Sequence, residues 1–173
     1  MNLENNNVIG QILTFISYLI FWYSRFKKEK KNMLLYDNIS RVVTIVAFFF
    51  LKTYDGIKNT IYVIIRNIIS DKLKDKEYSE KKTTFIIMLV ILILLYIYGF
   101  NGISTIFIII CGIFNLYGTI MKDEQGIRIY GMIGSVFYTL FMFSTNNYIG
   151  VICEVISFIS MLLSYFKYKK RKK

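Results

Sequence analysis

The basic residues of this chain gather on one side of a membrane-spanning pattern. Seven apolar stretches can be traced, at residues 8–24, 39–53, 54–70, 83–98, 103–121, 127–145 and 148–166. A helix needs about 20 residues to cross the hydrocarbon core, and somewhat fewer when its ends are polar. Most of the 22 Lys and Arg residues lie near the ends of the first, third, fifth and seventh stretches, whereas the N-terminus and the remaining connections contain only Lys52 and Lys58. Since Lys and Arg accumulate in cytoplasmic loops, we predict an odd number of helices with the N-terminus outside and the C-terminus in the cytoplasm.

The composition favours a membrane protein and argues against several other classes. With 55% hydrophobic residues, a chain of 173 residues has more apolar surface than one soluble core can bury. The net charge of +11 would suggest nucleic acid in a soluble protein, but the predicted topology and anionic lipids at the cytoplasmic face account for it here. The chain has no His, and Cys111 and Cys153 lie in apolar stretches. We therefore expect no enzyme activity, no metal, no cofactor and no nucleic-acid partner.

An internal repeat relates the two ends of the chain. A shift of 94 positions places Tyr54-x-Gly56 on Tyr148-x-Gly150, and under the same shift the helix ends and basic loops of stretches one to three coincide with those of stretches five to seven. Because one helix intervenes, both triplets start on the same side of the membrane. The sequence thus predicts a parallel repeat of three-helix bundles, with an apolar fourth helix as the linker.

Polar residues mark one face of several predicted helices, and these faces should turn inward because polar side chains in lipid are costly. The third helix carries such a stripe, and helices one, five and seven carry others. We predict a site near the membrane midplane whose polar residues are Asn59, Tyr62, Arg66, Asn115, Glu154 and Ser157, with Tyr18 and Trp22 as apolar walls. A midplane cluster between repeats is where secondary transporters bind substrates.

The individual site residues have alternative interpretations. Glu154 has no other acidic residue at its depth, which favours a functional role or a pairing with Arg66, about 9 Å away along the membrane normal. Arg66 is equally consistent with a side chain that extends to lipid phosphates. Asn59 and Asn115 are as consistent with hydrogen bonds between helices as with ligand contact.

The basic run 24–31, the Tyr54-x-Gly56 motif leading to Arg66, and Gly150-x-x-x-Glu154 before the basic tail together resemble a known group. The chain looks most like the YgjV family of small bacterial inner-membrane proteins, within the SWEET, PQ-loop and PnuC-like transporter group. That resemblance implies a 3-1-3 helix arrangement over essentially the whole chain, and Asn59 resembles the pocket asparagine of helix three in those transporters. The chain contains no Pro and lacks the Pro-Gln motif, and the resemblance does not imply a sugar substrate.

These observations lead to one interpretation and one alternative. We predict an all-α integral membrane protein of seven transmembrane helices, forming one domain over residues 1–173 in the bacterial inner membrane. Its parts are repeat one at 8–70, a linker helix at 83–100, repeat two at 103–166 and a basic cytoplasmic tail at 167–173. The predicted function is transport of a small polar solute. The alternative is a non-transporting membrane protein that binds a protein partner or anionic lipid through its basic face.

Overall fold

The structure, a computed structural model, describes residues 3–73, 75–97, 100, 102–145 and 147–169. Within these residues the chain forms helices and no strands. The seven helices are α1 Leu3–Arg25, α2 Lys30–Phe50, α3 Tyr54–Lys72, α4 Tyr78–Ile97, α5 Ile103–Met121, α6 Glu124–Ser144 and α7 Tyr148–Lys169. Positions 98 and 99 of the predicted linker helix and 170–173 of the predicted basic tail lie outside the described residues. The all-α class and the helix number are as predicted.

One predicted boundary is wrong by about two and a half turns. The apolar stretch predicted a second helix from position 39, but α2 begins at Lys30. Met33 and Leu34 are fully or nearly fully buried, and the Lys30 side chain is only 6% exposed. This segment is helical because its own apolar face packs on the protein, even though the basic and polar residues around that face lower its mean hydropathy. The correction places Asp37 about 10 Å inside the helix instead of in a loop.

Five of the described helices are long and apolar enough to cross a membrane, namely α1, α2, α5, α6 and α7. The other two carry more charge: α3 contains Asp55, Lys58 and Arg66, and the first turn of α4 contains Glu80 and Lys81. Charged residues in α3 are tolerated where they turn to the interior, and Arg66 is only 4% exposed. Large apolar side chains are exposed along all seven helices, as expected of a surface that faces lipid.

Six helices form a closed ring in chain order, with α4 outside it. The contacts run from α1 to α2, α2 to α3, α3 to α5, α5 to α6 and α6 to α7, and α7 returns to α1. Helix α4 packs mainly on α5 and more weakly on α3. The 94-residue shift carries the bounds of α2 onto those of α6 and the first residue of α3 onto that of α7. The shift also relates the ring contacts in pairs: α1–α2 corresponds to α5–α6, α2–α3 to α6–α7, and α3–α5 to α7–α1. Superposition of the two triplets stays a prediction.

The apolar core is displaced to one side of the ring. Its largest buried cluster joins α3, α4, α5 and α6 around Tyr62, Leu92 and Ile108. Leu92 is accommodated because α5 has a glycine, Gly112, directly opposite it. The side formed by α1, α2, α3 and α7 contains most of the buried polar and charged residues instead. The polar interior is therefore located between the two triplets, away from the linker helix.

Candidate functional site

A cavity of about 40 Å³ lies inside the ring, between the two triplets. Its polar lining comes from both triplets: Arg25, Arg41, Asn59 and Arg66 from the first, and Asn115, Ser135, Tyr138 and Glu154 from the second. The other lining residues are apolar or small: Phe21, Val63, Cys111, Gly112, Gly131 and Met161. A volume of this size holds about three waters.

A buried acid–base cluster forms one wall of the cavity. Asp37 is 1% exposed, and its Oδ1 accepts a hydrogen bond from Arg41 Nε at 3.2 Å. Its Oδ2 accepts one from Asn67 Nδ2 at 2.9 Å and lies 3.9 Å from Arg25 Nη2. Arg66 in turn donates from Nε and Nη2 to Asn67 Oδ1, at 3.2 and 2.8 Å. The Asp37 carboxylate thus interacts directly with Arg25 and Arg41, and with Arg66 through the Asn67 amide.

An aromatic ring positions two of these cations. The Cζ atoms of Arg25 and Arg41 lie 4.2 and 5.2 Å from the ring centroid of Phe21. A guanidinium near an aromatic ring within about 6 Å is attracted by the ring quadrupole. Phe21 is also buried beside Tyr18 in a small cluster that links α1 to Cys153 of α7. The arginines are therefore fixed in place by α1 and α2, within one triplet.

Glu154 is the carboxylate on the opposite wall. It is 6% exposed and accepts hydrogen bonds from the hydroxyls of Tyr18, at 2.6 Å, and Ser135. Among the described residues no Lys or Arg nitrogen lies within 4.0 Å of this carboxylate. The pairing of Glu154 with Arg66 that the sequence allowed is therefore absent, since hydroxyl groups satisfy Glu154 and Asn67 binds Arg66.

The two cavity asparagines differ in their partners. Asn115 Nδ2 donates to the carbonyl oxygen of Cys111 at 3.0 Å and contacts its Sγ at 3.2 Å. A Cβ at position 134 would overlap the Asn115 amide, so Gly134 allows this close approach of α6 to α5. Asn59 is 6% exposed, and its Oδ1 is buried without a hydrogen-bond partner in the described part of the chain. Asn59 therefore has unused hydrogen-bonding capacity at the cavity wall.

The structure brings four of the eight predicted site residues to the cavity, namely Asn59, Arg66, Asn115 and Glu154. Arg66 is 4% exposed, so it does not extend to lipid headgroups. The other four predicted residues do not line the cavity: Tyr18, Trp22, Tyr62 and Ser157. Tyr18 donates its hydroxyl hydrogen bond to Glu154, and Trp22 Nε1 donates to Ser157 Oγ at 2.7 Å. Tyr62 Oη donates to the Met88 carbonyl at 3.0 Å. Trp22 and Ser157 thus join α1 to α7, and Tyr62 joins α3 to α4.

Sequence reasoning missed Asp37, Arg25, Arg41 and Ser135 as site residues. Arg25 lies on the predicted polar stripe of helix one but outside the predicted site, Arg41 is explained in the sequence only by the predicted topology, and Asp37 falls in a predicted connection. The i,i+4 spacing of Asp37 and Arg41 beside the apolar run 33–35 was a usable signal for a buried ion pair on a helix. Ser135 occupies the repeat position of Arg41, and in the sequence the Gly131-x-x-x-Ser135 spacing is most simply explained by close helix packing.

Hydrogen bonds between the triplets close the ring at its basic end, which is formed by the α1–α2, α3–α4 and α5–α6 connections. The Thr119 carbonyl accepts from Lys30 Nζ and from Ser70 Oγ, both at 2.7 Å. Arg128 Nη2 donates to the Lys27 carbonyl at 2.9 Å. These donors and acceptors pair α2 and α3 with α5, and the α1–α2 connection with α6.

Towards the other end of the ring the lining is rich in hydroxyl groups. A narrow space of about 10 Å³ adjoins the cavity and shares Phe21, Arg41 and Tyr138 with it. Its remaining polar lining consists of hydroxyl side chains: Thr14, Ser17, Tyr18, Ser40 and Thr44. At the end itself lies a polar recess of about 270 Å³ that includes Gln11 and Asn147. The ring thus holds a charged cavity, an adjoining hydroxyl-lined space and a separate polar recess at its end.

Comparison with known proteins identifies a family. A family model named Imp-YgjV and described as "Bacterial inner membrane protein" matches residues 8–172 of the chain. No curated protein and no solved structure matches the chain. The match covers all seven helices almost completely, including every residue that lines the cavity.

Proposed function

The chain belongs to the Imp-YgjV family of bacterial inner membrane proteins, and from the geometry of its cavity we propose that it transports a small polar solute. The binding site is the cavity between the two triplets, with walls from α1, α2 and α3 on one side and α5, α6 and α7 on the other. Sites at the interface of helical repeats are typical of secondary transporters. Since the cavity holds only about three waters, binding of a larger solute requires the triplets to move apart.

The observation that carries the proposal is the unpartnered amide of Asn59. A buried polar atom without a hydrogen bond costs about 1–3 kcal/mol, so a purely structural residue at this position would be apolar. Asn59 lies on the cavity wall, where a bound solute or ordered water supplies the missing partner. The same helix contains a contrasting residue, Asn67, which is 0% exposed and bonded to Asp37, Asn38 and Arg66.

Matched Asn→Leu variants test this proposal. Asn59→Leu removes a polar group with no protein partner, so it should preserve or increase stability while it abolishes solute uptake. Asn67→Leu removes three hydrogen-bonding relationships and should lower stability, whether or not the protein transports anything. The uptake assay uses purified protein in proteoliposomes and a panel of radiolabelled sugars, organic anions, amino acids and amines, with protein-free liposomes as the blank.

The result separates transport from the alternative function. Saturable uptake of one solute class that disappears in a folded Asn59→Leu protein supports a transporter. Uptake by none of the panel, together with an Asn59→Leu variant as unstable as Asn67→Leu, would contradict the proposal and favour a membrane protein whose buried polar residues serve only its fold.

A further inference from the structure

The cavity has more positive than negative charge. Three arginines line it, and the carboxylates of Asp37 and Glu154 are the acidic groups that face these arginines or the cavity. With both carboxylates ionised, one positive charge remains without a counter-ion, and protonation of Glu154 would leave two. An unpaired charge inside a membrane protein is costly, which favours an anion as the occupant.

The arginines also have hydrogen-bond donors to spare. Arg41 uses Nε on Asp37, and its two terminal nitrogens donate to no described residue. Arg25 Nε is buried without a partner. Arg66 uses Nε and Nη2 on Asn67, which leaves Nη1. Glu154 does not take up these donors, because its carboxylate oxygens lie more than 4.0 Å from each of the three guanidinium groups. Because Arg41 and Arg66 line the cavity, their free terminal nitrogens are available to an occupant of it.

We propose that the cavity binds the carboxylate group of a small organic acid between Arg25, Arg41 and Arg66, an inference that rests on the proposed function. A carboxylate fits because the planar guanidinium group presents paired donors to two oxygens at once. The acid also carries a hydroxyl group, which donates to the unpartnered Oδ1 of Asn59. An acid of only a few heavy atoms has about the volume of the waters that the cavity holds, so it can bind with the least movement of the helices.

Three small probes separate the parts of this proposal. Glycolate has both the carboxylate and the hydroxyl, acetate lacks the hydroxyl, and ethylene glycol lacks the charge. Thermal unfolding of the purified protein is followed against probe concentration, because a ligand of the folded state raises the unfolding temperature by an amount that grows with the ratio of its concentration to its dissociation constant. Sodium chloride keeps the ionic strength constant, so a site that accepts any anion gives no response when glycolate replaces chloride.

We expect glycolate to bind most tightly, acetate more weakly, and ethylene glycol not at all. Arg41→Gln should weaken glycolate by about 10- to 100-fold, the usual loss for one charged hydrogen bond. Lys58→Gln is the matched control, since Lys58 is a surface cation whose ion-pair partner in the described part of the chain is Asp55. Asn59→Leu should make glycolate bind no better than acetate. If Arg41→Gln does not fold, Arg41→Lys keeps the charge beside Asp37 and should still weaken glycolate relative to the wild type.

The possible failures are distinguishable. Equal responses to glycolate and ethylene glycol, or no response beyond that to chloride, would overturn the carboxylate site. Equal affinities of glycolate and acetate in the wild type would overturn the role assigned to Asn59. If the probes bind as expected but no organic anion enters proteoliposomes, the site stands and the transporter proposal fails. If a neutral solute is transported and glycolate does not bind, transport stands and the carboxylate site is wrong.

Discussion

Replacing Asp37 by Asn should destabilise the folded protein by about 3–5 kcal/mol, the usual cost of breaking a buried ion pair from one side. Asp37 is the carboxylate within 4.0 Å of Arg25 and Arg41, and it also accepts from Asn67. An Asn at this position keeps one acceptor oxygen, but its amide nitrogen must face either Arg41 or Asn67, which are both donors. The variant therefore leaves two cations without a counter-ion and one donor without an acceptor.

The assay is reversible unfolding in mixed micelles of a mild detergent and sodium dodecyl sulfate. The fluorescence of Trp22, the single Trp of the chain, reports the loss of its hydrogen bond to Ser157. Asp37→Asn combined with Arg41→Gln should recover part of the loss, because the double variant removes the cation that the single variant leaves unpaired. The coupling energy should fall within about 0.5–3 kcal/mol.

Asp55→Asn is the control, because it also removes a carboxylate that pairs with a cation, but at an exposed position. The side chain of its partner Lys58 is 45% exposed. That change should cost at most about 1 kcal/mol. The reasoning would be refuted if Asp37→Asn cost no more than Asp55→Asn, or if the double variant were as unstable as the sum of its single changes. Either result would mean that the arginines find other counter-ions or water in the bilayer.

Three further predictions concern topology, symmetry and the second carboxylate. Reporter domains fused at Tyr78 and at the C-terminus should report the cytoplasm and one at Gly102 the outside, because the basic connections select the cytoplasmic side; an exchange of any two would contradict the orientation. In an experimental structure, the Cα traces of residues 9–70 and 103–164 should superpose with the same membrane orientation; an inverted relation would reject the repeat. Glu154→Gln should unfold within about 1 kcal/mol of the wild type, whereas Glu154→Leu should lose about 2–6 kcal/mol, since two buried hydroxyls lose their acceptor. Equal stability of the Gln and Leu variants would show that those hydroxyls do not depend on position 154.

The fold was largely predictable because hydropathy and loop charge are local signals. The stretch 103–121 reproduces the bounds of α5, and Tyr54 and Tyr148 mark the first residues of α3 and α7. The failure at the start of α2 has a physical cause: Lys30 and Asp37 lower the mean hydropathy of a segment whose own apolar face is buried. A window average cannot separate polar residues that face solvent from those paired inside a bundle.

The site was predictable only in part, for a different reason. Polar stripes identified Asn59 and Glu154 because a lone polar residue in an apolar helix is conspicuous. Arg25 lies on the polar stripe of helix one but near its end, where basic residues are normally explained by topology alone, and the same explanation hid Arg41. Their burial depends on Phe21 and Asp37, contacts between helices that no single helix reveals. Partner choice in a polar network is a tertiary property, and stripe analysis gives candidates without their pairings.

The hydrogen bonds at the basic end have a consequence for the balance between conformations. Breaking the bonds of Lys30 and Ser70 to Thr119, and that of Arg128 to Lys27, costs about 3.5 kcal/mol even at the lower end of their usual range. By the rule of about 1.4 kcal/mol per factor of ten, only about one empty molecule in 300 is then open at this end. For the transport proposed above, a solute must offset that difference by binding the open form more tightly, so we expect solute identity to control the rate of opening at the basic end. Lys30→Met should raise the open fraction by about 10- to 100-fold, measurable as faster hydrogen exchange of backbone amides at the basic end.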